Sequence, residues 1–201
     1  MELILISSPV SVPDEWTRLN DYFSHGLKRF HLRKPYYSRI KIEKFLNQID
    51  PQYYPRIVLH SYHSLGKKFG LNRFHYPEDL RKITAEEELA EKVAEGNNIS
   101  TSVHSIDALK KLPSSFSYAF IGPVFPSISK QGYGDPFSKE KWLKIKTAST
   151  SAIAIGGVDS NNIHNLNKLG FKGAALLGTI WSRPHESAFQ ELTDCLQLLP
   201  S

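Results

Sequence analysis

The sequence is short of cysteine, of long apolar stretches and of targeting signals. Its 201 residues include one cysteine, Cys195, so no disulfide can form within the chain, and a reducing, cytoplasmic location is expected. No apolar stretch approaches about 18 residues, so no membrane-spanning helix is predicted. The apolar run within residues 1–8 follows no basic segment and is too short for a signal peptide, so it is predicted to be a strand.

Long runs of one charge are also absent. The chain carries 25 basic and 20 acidic residues, a formal net charge of +5. The basic residues are scattered and form no block of about five or six, so no nucleic-acid partner is predicted. A mild positive balance fits a small anionic ligand and fits a solvated basic surface equally well.

A short β-rich run alternates with a longer helical stretch along the chain. The predicted strands cover residues 3–7, 29–33, 56–60, 73–76, 99–103, 118–122, 152–156 and 173–178. Predicted helices cover residues 38–49, 160–169 and 185–199 and begin near residues 13 and 138. This alternation predicts an α/β fold, a single (β/α)8 TIM barrel over residues 1–201. The alternative is an open doubly wound sheet, although the G-x-G-x-x-G fingerprint is absent near the first strand.

Histidines collect at the ends of the predicted strands. In such barrels the active site is built at the C-terminal ends of the strands, and four of the eight histidines lie there: His31, His60, His75 and His104. Histidine titrates near neutrality and can serve as an acid or a base, although any one of these can be structural. Strand alternation places His31 and Arg33 on one face, and Ser102 and His104 on one face.

Glycine-rich turns follow the last two predicted strands. Glycine lets backbone N–H groups approach an anion, and these two loops are the usual phosphate site in this fold. The predicted phosphate-binding turns contain Gly156, Gly157, Gly178 and Thr179. The alternative is tight turns without a ligand. Three basic side chains from different strand ends, Arg33, Lys34 and Lys130, are expected to converge on one anion.

Together these motifs resemble the thiamine phosphate synthase/TenI family of barrel enzymes. The segment 118–130, YAFIGPVFPSISK, is similar to the family's Gly-Pro-Val-Phe-x-[Ser/Thr]-x-[Ser/Thr]-Lys. The segments 31–34 and 102–105 resemble its Gln-Leu-Arg-x-Lys and Ser-x-His, and 154–158 and 173–178 fit its last two strands. The resemblance implies a thiazole phosphate substrate. Synthases join it to hydroxymethylpyrimidine diphosphate, with Mg²⁺ and basic residues on the leaving pyrophosphate, whereas TenI proteins tautomerise it.

The resemblance also implies roles for particular residues. The pyrophosphate, or its equivalent, would contact five side chains: Arg33, Ser102, Ser127, Ser129 and Lys130. The phosphate-binding turns would hold the thiazole phosphate, and His31 and Lys34 would also bind substrate. The TenI catalytic histidine falls on Pro123, so His104 and His60 become the candidates for proton transfer, with Lys130 as a third catalytic candidate.

The chain departs from the synthase pattern where Mg²⁺ would bind. The family's Asn-Asp pair after the third strand is replaced by His60 and Ser61, and only Glu78 or Asp79 could supply an acidic ligand after the fourth. The sequence therefore slightly favours TenI-like tautomerisation without a cofactor. The alternatives are a synthase that uses Mg²⁺ and a non-catalytic, regulatory thiazole-phosphate-binding protein. Pairing of exposed helices into a homodimer is left open.

Overall fold

The computed structural model describes residues 1–126 and 139–200, with the backbone alone at 139 and 140. Eight parallel strands within these residues close into a barrel in chain order, β1 pairing with β8. The strands are β1 Glu2–Ile6, β2 Arg29–Leu32, β3 Ile57–Leu59, β4 Arg73–Tyr76, β5 Asn98–Val103, β6 Phe116–Ile121, β7 Ser151–Ile155 and β8 Gly173–Leu176. The predicted TIM barrel is confirmed, and the open sheet is excluded.

Helices surround the barrel. They are α1 Glu15–Ser24, α2 Arg39–Leu46, α3 Leu65–Phe69, α4 Glu78–Ile83, α5 Glu86–Ala94, α6 Ile106–Lys110, α7 Lys139–Leu143, α8 Leu166–Leu169, α9 Gly178–Trp181 and α10 His185–Leu198, with 3-10 turns at Pro51–Arg56, Lys144–Thr147 and Ile163–Asn165. None of the helices in the described ranges is long and apolar enough to cross a membrane.

The predicted helix over 160–169 is wrong in its first half. The Asp159 side chain accepts from the Asn161 N–H, and the Asn162 side chain accepts from the Asp159 N–H at 3.1 Å. Such side-chain bonds compete with helical ones, so a 3-10 turn at Ile163–Asn165 precedes the short α8. The C-terminal end of the helix is as predicted, because Gly170 ends α8 with a φ of 99°.

Strand alternation divides the apolar side chains into two layers. One face of each strand packs against the helices, as Leu5 and Leu32 do. The other face fills the barrel, where a smaller apolar cluster comprises Ile4, Ile6, Tyr118, Phe120, Ile153 and Ala175. The space inside the barrel next to this cluster holds histidine and serine side chains, which form the candidate site.

Candidate active site at the C-terminal mouth of the barrel

Three histidines from neighbouring strands meet inside the barrel. His31 lies in β2, His75 lies in β4, and His60 directly follows β3, where its N–H still donates to the Leu32 carbonyl. His31 Nδ1 lies 2.9 Å from His60 Nε2, and the His60 and His75 rings stack with centroids 4.1 Å apart. His31 and His75 are fully buried, and His60 is half-buried. The three residues are called the histidine cluster below.

Hydroxyl groups surround the histidine cluster. His31 Nε2 lies 2.6 Å from the Tyr118 hydroxyl. The two ring nitrogens of His75 lie 3.0 Å from Ser100 Oγ and 2.9 Å from Ser102 Oγ, both on β5. Because each neutral imidazole has one N–H and one lone pair, every such contact fixes a donor and an acceptor. The cluster is therefore a hydrogen-bonded network that joins β2 through β6.

Burial keeps the histidine cluster uncharged. Burial lowers the pKa of His31 and of His60 well below the usual range for histidine, and it lowers the pKa of His75 to about 3, with smaller effects from neighbouring positive groups. Burial also raises the pKa of Tyr118 to about 12. At neutral pH the site therefore offers neutral imidazoles and a protonated phenol, all able to donate and accept hydrogen bonds.

Arg33 and Lys34, adjacent in the chain, have different surroundings. Arg33 is exposed, and its charge contributes to the lowered pKa values of His60 and His75, which places it beside the cluster. The Lys34 ammonium is buried, is paired with the Glu15 carboxylate and donates to the Val10 carbonyl at 2.8 Å. The expectation that Lys34 joins Arg33 on a ligand anion is therefore corrected. Lys34 holds α1 to the end of β2.

His104 lies apart from the histidine cluster, on the rim. Its side chain is 77% exposed, and its Nε2 lies 3.2 Å from Glu78 Oε2. The other Glu78 oxygen binds Lys82 at 2.8 Å, and Asp79 is exposed. The structure thus brings together His31, His60 and Ser102 of the predicted site residues and leaves His104 in a separate contact.

The donors at the mouth do not fit Mg²⁺, the ion that the resemblance implies. Mg²⁺ prefers hard oxygen ligands in an octahedron. The buried groups gathered here, among the described residues, are imidazoles and neutral hydroxyls, and the two oxygens of Glu78 already contact Lys82 and His104.

The predicted phosphate-binding turns after β7 and β8 lie side by side. Gly156 and Gly157 have φ values of 92° and 66°, and a Cβ on Gly157 would lie 2.5 Å from the Pro126 carbonyl oxygen. Both glycines are therefore required by the loop after β6, whatever the ligand. The Thr179 hydroxyl donates its single proton to the Val158 carbonyl at 2.8 Å, so Thr179 could hold a phosphate through its backbone N–H but not through its side chain. Gly178 begins α9.

Three predicted residues, Ser127, Ser129 and Lys130, lie outside the described residues. Two others, Tyr118 and Ser100, were not among the predicted site residues. Strand alternation could have found both, because Ser100 shares a face with Ser102, and Tyr118 is the inward polar residue two positions before Phe120.

A closed (β/α)8 barrel with a polar site at the carboxyl ends of its strands is an arrangement typical of barrel enzymes. The sequence matches the family described as thiamine monophosphate synthase over residues 3–180, and the chain belongs to that family. The predicted membership and the prediction that the chain is an enzyme of this type are both confirmed.

Relatives of known sequence carry the same description. The thiamine-phosphate synthase of Dictyoglomus turgidum is 29% identical over 161 residues, which cover 79% of this chain and 69% of the relative. The thiamine-phosphate synthase of Clostridium tetani is 31% identical over 117 residues, which cover 57% of this chain and 51% of the relative. A thiamine phosphate pyrophosphorylase structure from Bacteroides thetaiotaomicron has a TM-score of 0.79 at 24% identity, covering 98% of this chain and 97% of that one, and supports the fold.

Proposed function

We propose that the chain is a thiamine phosphate synthase, which joins thiazole phosphate to hydroxymethylpyrimidine diphosphate and releases pyrophosphate. The observation that carries the proposal is the match to relatives of that name over most of the chain. These relatives favour the synthase alternative over the tautomerase that the sequence slightly favours. They are named as enzymes, which also argues against a regulatory, non-catalytic protein.

The charges at the mouth suit this chemistry. A C–N bond forms between the two substrates while the C–O bond to the diphosphate breaks, so negative charge develops on the leaving pyrophosphate. Arg33, exposed beside the histidine cluster, can bind that charge through its planar guanidinium. The phosphate-binding turns follow β7 and β8, which β1 separates from β2 in the closed barrel. They would hold the thiazole phosphate through backbone N–H groups.

The histidine cluster would orient a heterocyclic substrate rather than bind its phosphates. Neutral imidazoles and hydroxyls recognise ring nitrogens and amino groups by hydrogen bonds and repel no cation. His60 is the half-buried member and faces the mouth, whereas His31 and His75 are fixed behind it by Tyr118 and the β5 serines. A ring bound against His60 would therefore meet a side chain held in place by its neighbours.

The proposal is tested by incubating the purified protein with both substrates, with and without added Mg²⁺, and measuring thiamine phosphate and pyrophosphate. We expect both products in equal amounts. Tautomerisation of thiazole phosphate with no thiamine phosphate under either condition would overturn the proposal.

That outcome would support a second candidate, the tautomerase, which one observation favours. The 2.6 Å contact between His31 and Tyr118 and the 2.9 Å contact between His31 and His60 form a chain of proton donors and acceptors. Such a chain could move a proton without a metal.

A further inference from the structure

The structure points to a transition-metal site, formed by His31, His60 and His75, inside the mouth of the barrel. One ring nitrogen from each of the three lies within 4.8 Å of the others. We propose that these nitrogens bind one divalent ion of the zinc type. The inference uses the same cluster as the proposed function but does not rest on that function. It follows from donors that suit such an ion and do not suit Mg²⁺.

The spacing of the nitrogens is close to what a zinc ion requires. With Zn–N bonds of about 2.0–2.1 Å, tetrahedral ligands lie roughly 3.4 Å apart. His31 Nδ1 and His60 Nε2 are 2.9 Å apart and would separate by roughly half an ångström. The three nitrogens all lie within 4.8 Å of one another, so no spacing would have to contract by more than about 1.4 Å. The rings come from three adjacent strands, so small side-chain rotations suffice and the barrel itself need not change.

The state of the rings favours a metal. An imidazole binds a metal through its lone pair, so a protonated ring cannot bind. The ring nitrogens of His31 and His75 lie against hydroxyls and another imidazole, partners that require no imidazolium proton. In the present contact between His31 and His60, one nitrogen carries the proton that the other accepts. For both nitrogens to bind the ion, that proton would move to the second ring nitrogen of the same imidazole, which then becomes its N–H.

Neighbouring hydroxyls can hold the ligands in the required tautomers. Ligand histidines usually donate their second ring N–H to a nearby acceptor. Tyr118 lies 2.6 Å from His31 Nε2, which leaves Nδ1 free to bind the ion. Ser100 and Ser102 lie against opposite nitrogens of His75, so one serine can keep the N–H while the other rotates away from the metal-binding nitrogen.

The site has an entrance and an open position. His60 is half-buried, whereas His31 and His75 are fully buried, so the ion would enter past His60 from the mouth. Three protein ligands leave the fourth tetrahedral position for water or substrate, as in catalytic zinc sites. Arg33 beside the cluster opposes a dication, so an anion at the fourth position would strengthen binding.

The experiment titrates metal-free protein with Co²⁺, read by its visible absorption, and with Zn²⁺, read by calorimetry, in the absence of any substrate. We expect one ion per chain and tetrahedral Co²⁺ bands. His31→Gln and His75→Gln should each weaken binding by at least about tenfold. The matched control is His185→Gln. His185 is exposed and lies against Asp21, as His25 does, so these three residues are the alternative place where a metal could bind on the surface. The control should leave the affinity within about twofold of wild type.

Two results would overturn the proposal: wild-type protein that binds neither ion at a single site, or binding that survives both cluster substitutions. If the buried substitutions prevent folding, as judged by circular dichroism, the half-buried His60→Asn replaces them. X-ray absorption of the zinc-loaded wild type is a second measurement, in which three imidazole scatterers are expected and an oxygen-only shell would contradict the site.

Discussion

His75 is a neutral histidine enclosed by two serines and a second imidazole. Its pKa of about 3 in the folded protein arises first from burial and then from the charges of His63 and Arg33. In the unfolded chain the same group would titrate near 6.5. The folded state therefore excludes a proton that the unfolded state accepts, and stability must depend on pH.

We predict that acid weakens the fold through this residue. Because the folded pKa is depressed, the stabilisation is complete above pH 6.5 and is lost as pH falls from 6.5 towards 3, by about 1.4 kcal/mol per pH unit. Urea unfolding at pH 7, 6 and 5 measures the free energy of unfolding as pH falls. This free energy should fall less steeply for His75→Gln than for wild type, because about one proton fewer is taken up when the variant unfolds in acid. Equal declines in the two proteins would contradict the neutral, buried state of His75.

The residues of the site were predictable where chemistry and position agree. His31 and His60 were predicted to stand at strand ends, and the structure brings their rings together. Alternation put His31 on one face with Arg33. Lys34 was misjudged because its face is that of Leu32, which packs towards the helices. Ser100 was missed because a strand serine looks inert until His75 is seen against it. Alternation puts Ser100 on the face of Ser102, but its contact with His75 on the neighbouring strand is visible only in the folded barrel.

Among the elements, α1 and the end of β2 are joined by a buried ion pair. Lys34 and Glu15 are both buried, and burial raises the pKa of Glu15 despite the lysine. A buried pair adds little over an apolar replacement, but leaving one partner alone is costly.

We therefore predict that Lys34→Met costs about 3–5 kcal/mol of unfolding free energy, whereas the double variant Lys34→Met/Glu15→Leu recovers most of it. Chemical denaturation of Lys34→Met, of Glu15→Leu and of the double variant measures the coupling energy between the two side chains. A Lys34→Met protein within about 0.5 kcal/mol of wild type would show that the pair does not hold α1 in place.

The loops after β6 and β7 are packed without room for a methyl group. Gly157 and Gly70 have the same φ of 66°, but a Cβ on Gly157 would meet the Pro126 and Phe125 backbone, whereas one on Gly70 would meet nothing within 4 Å. A comparison of alanine substitutions at the two positions therefore separates the cost of a positive φ from the cost of a steric collision.

We predict that Gly157→Ala destabilises the protein by about 1–3 kcal/mol more than Gly70→Ala does, because both substitutions carry the strain of a positive φ and only one adds a collision. Thermal and urea unfolding of the two variants measures the difference. Equal losses would mean that the loop after β6 moves aside at no cost.

All eight predicted strands are found, including the fourth, which is the shortest of them. The strand over 73–76 is found at Arg73–Tyr76, and the other seven strands differ by a few residues at their ends. The predicted start of the third strand at 56 was wrong, because that residue belongs to the 3-10 turn Pro51–Arg56, in which Pro51 and Pro55 lack the N–H that a ladder needs. Hydrophobic spacing carries no information about such turns.

At the scale of the molecule, the closed barrel fixes the geometry of its mouth. Every strand has two hydrogen-bonded neighbours, so the side chains that meet there stand on a rigid support. The fold follows from the repeated strand–helix pattern, and the family follows from motifs at strand ends. In the proposed reaction, the histidine cluster, Arg33 and the predicted phosphate-binding turns would act at one opening, and the order of the strands in the closed barrel decides which of their ends are neighbours.

The most direct test of this account is the rate of thiamine phosphate formation by His60→Ala, compared with wild type and with His185→Ala, a change at an exposed histidine on α10. If the reaction takes place at the histidine cluster, His60→Ala should lower kcat/KM by at least about 10²-fold, and His185→Ala should leave it unchanged. A His60→Ala protein that folds and turns over at the wild-type rate would contradict the assignment of the mouth as the active site.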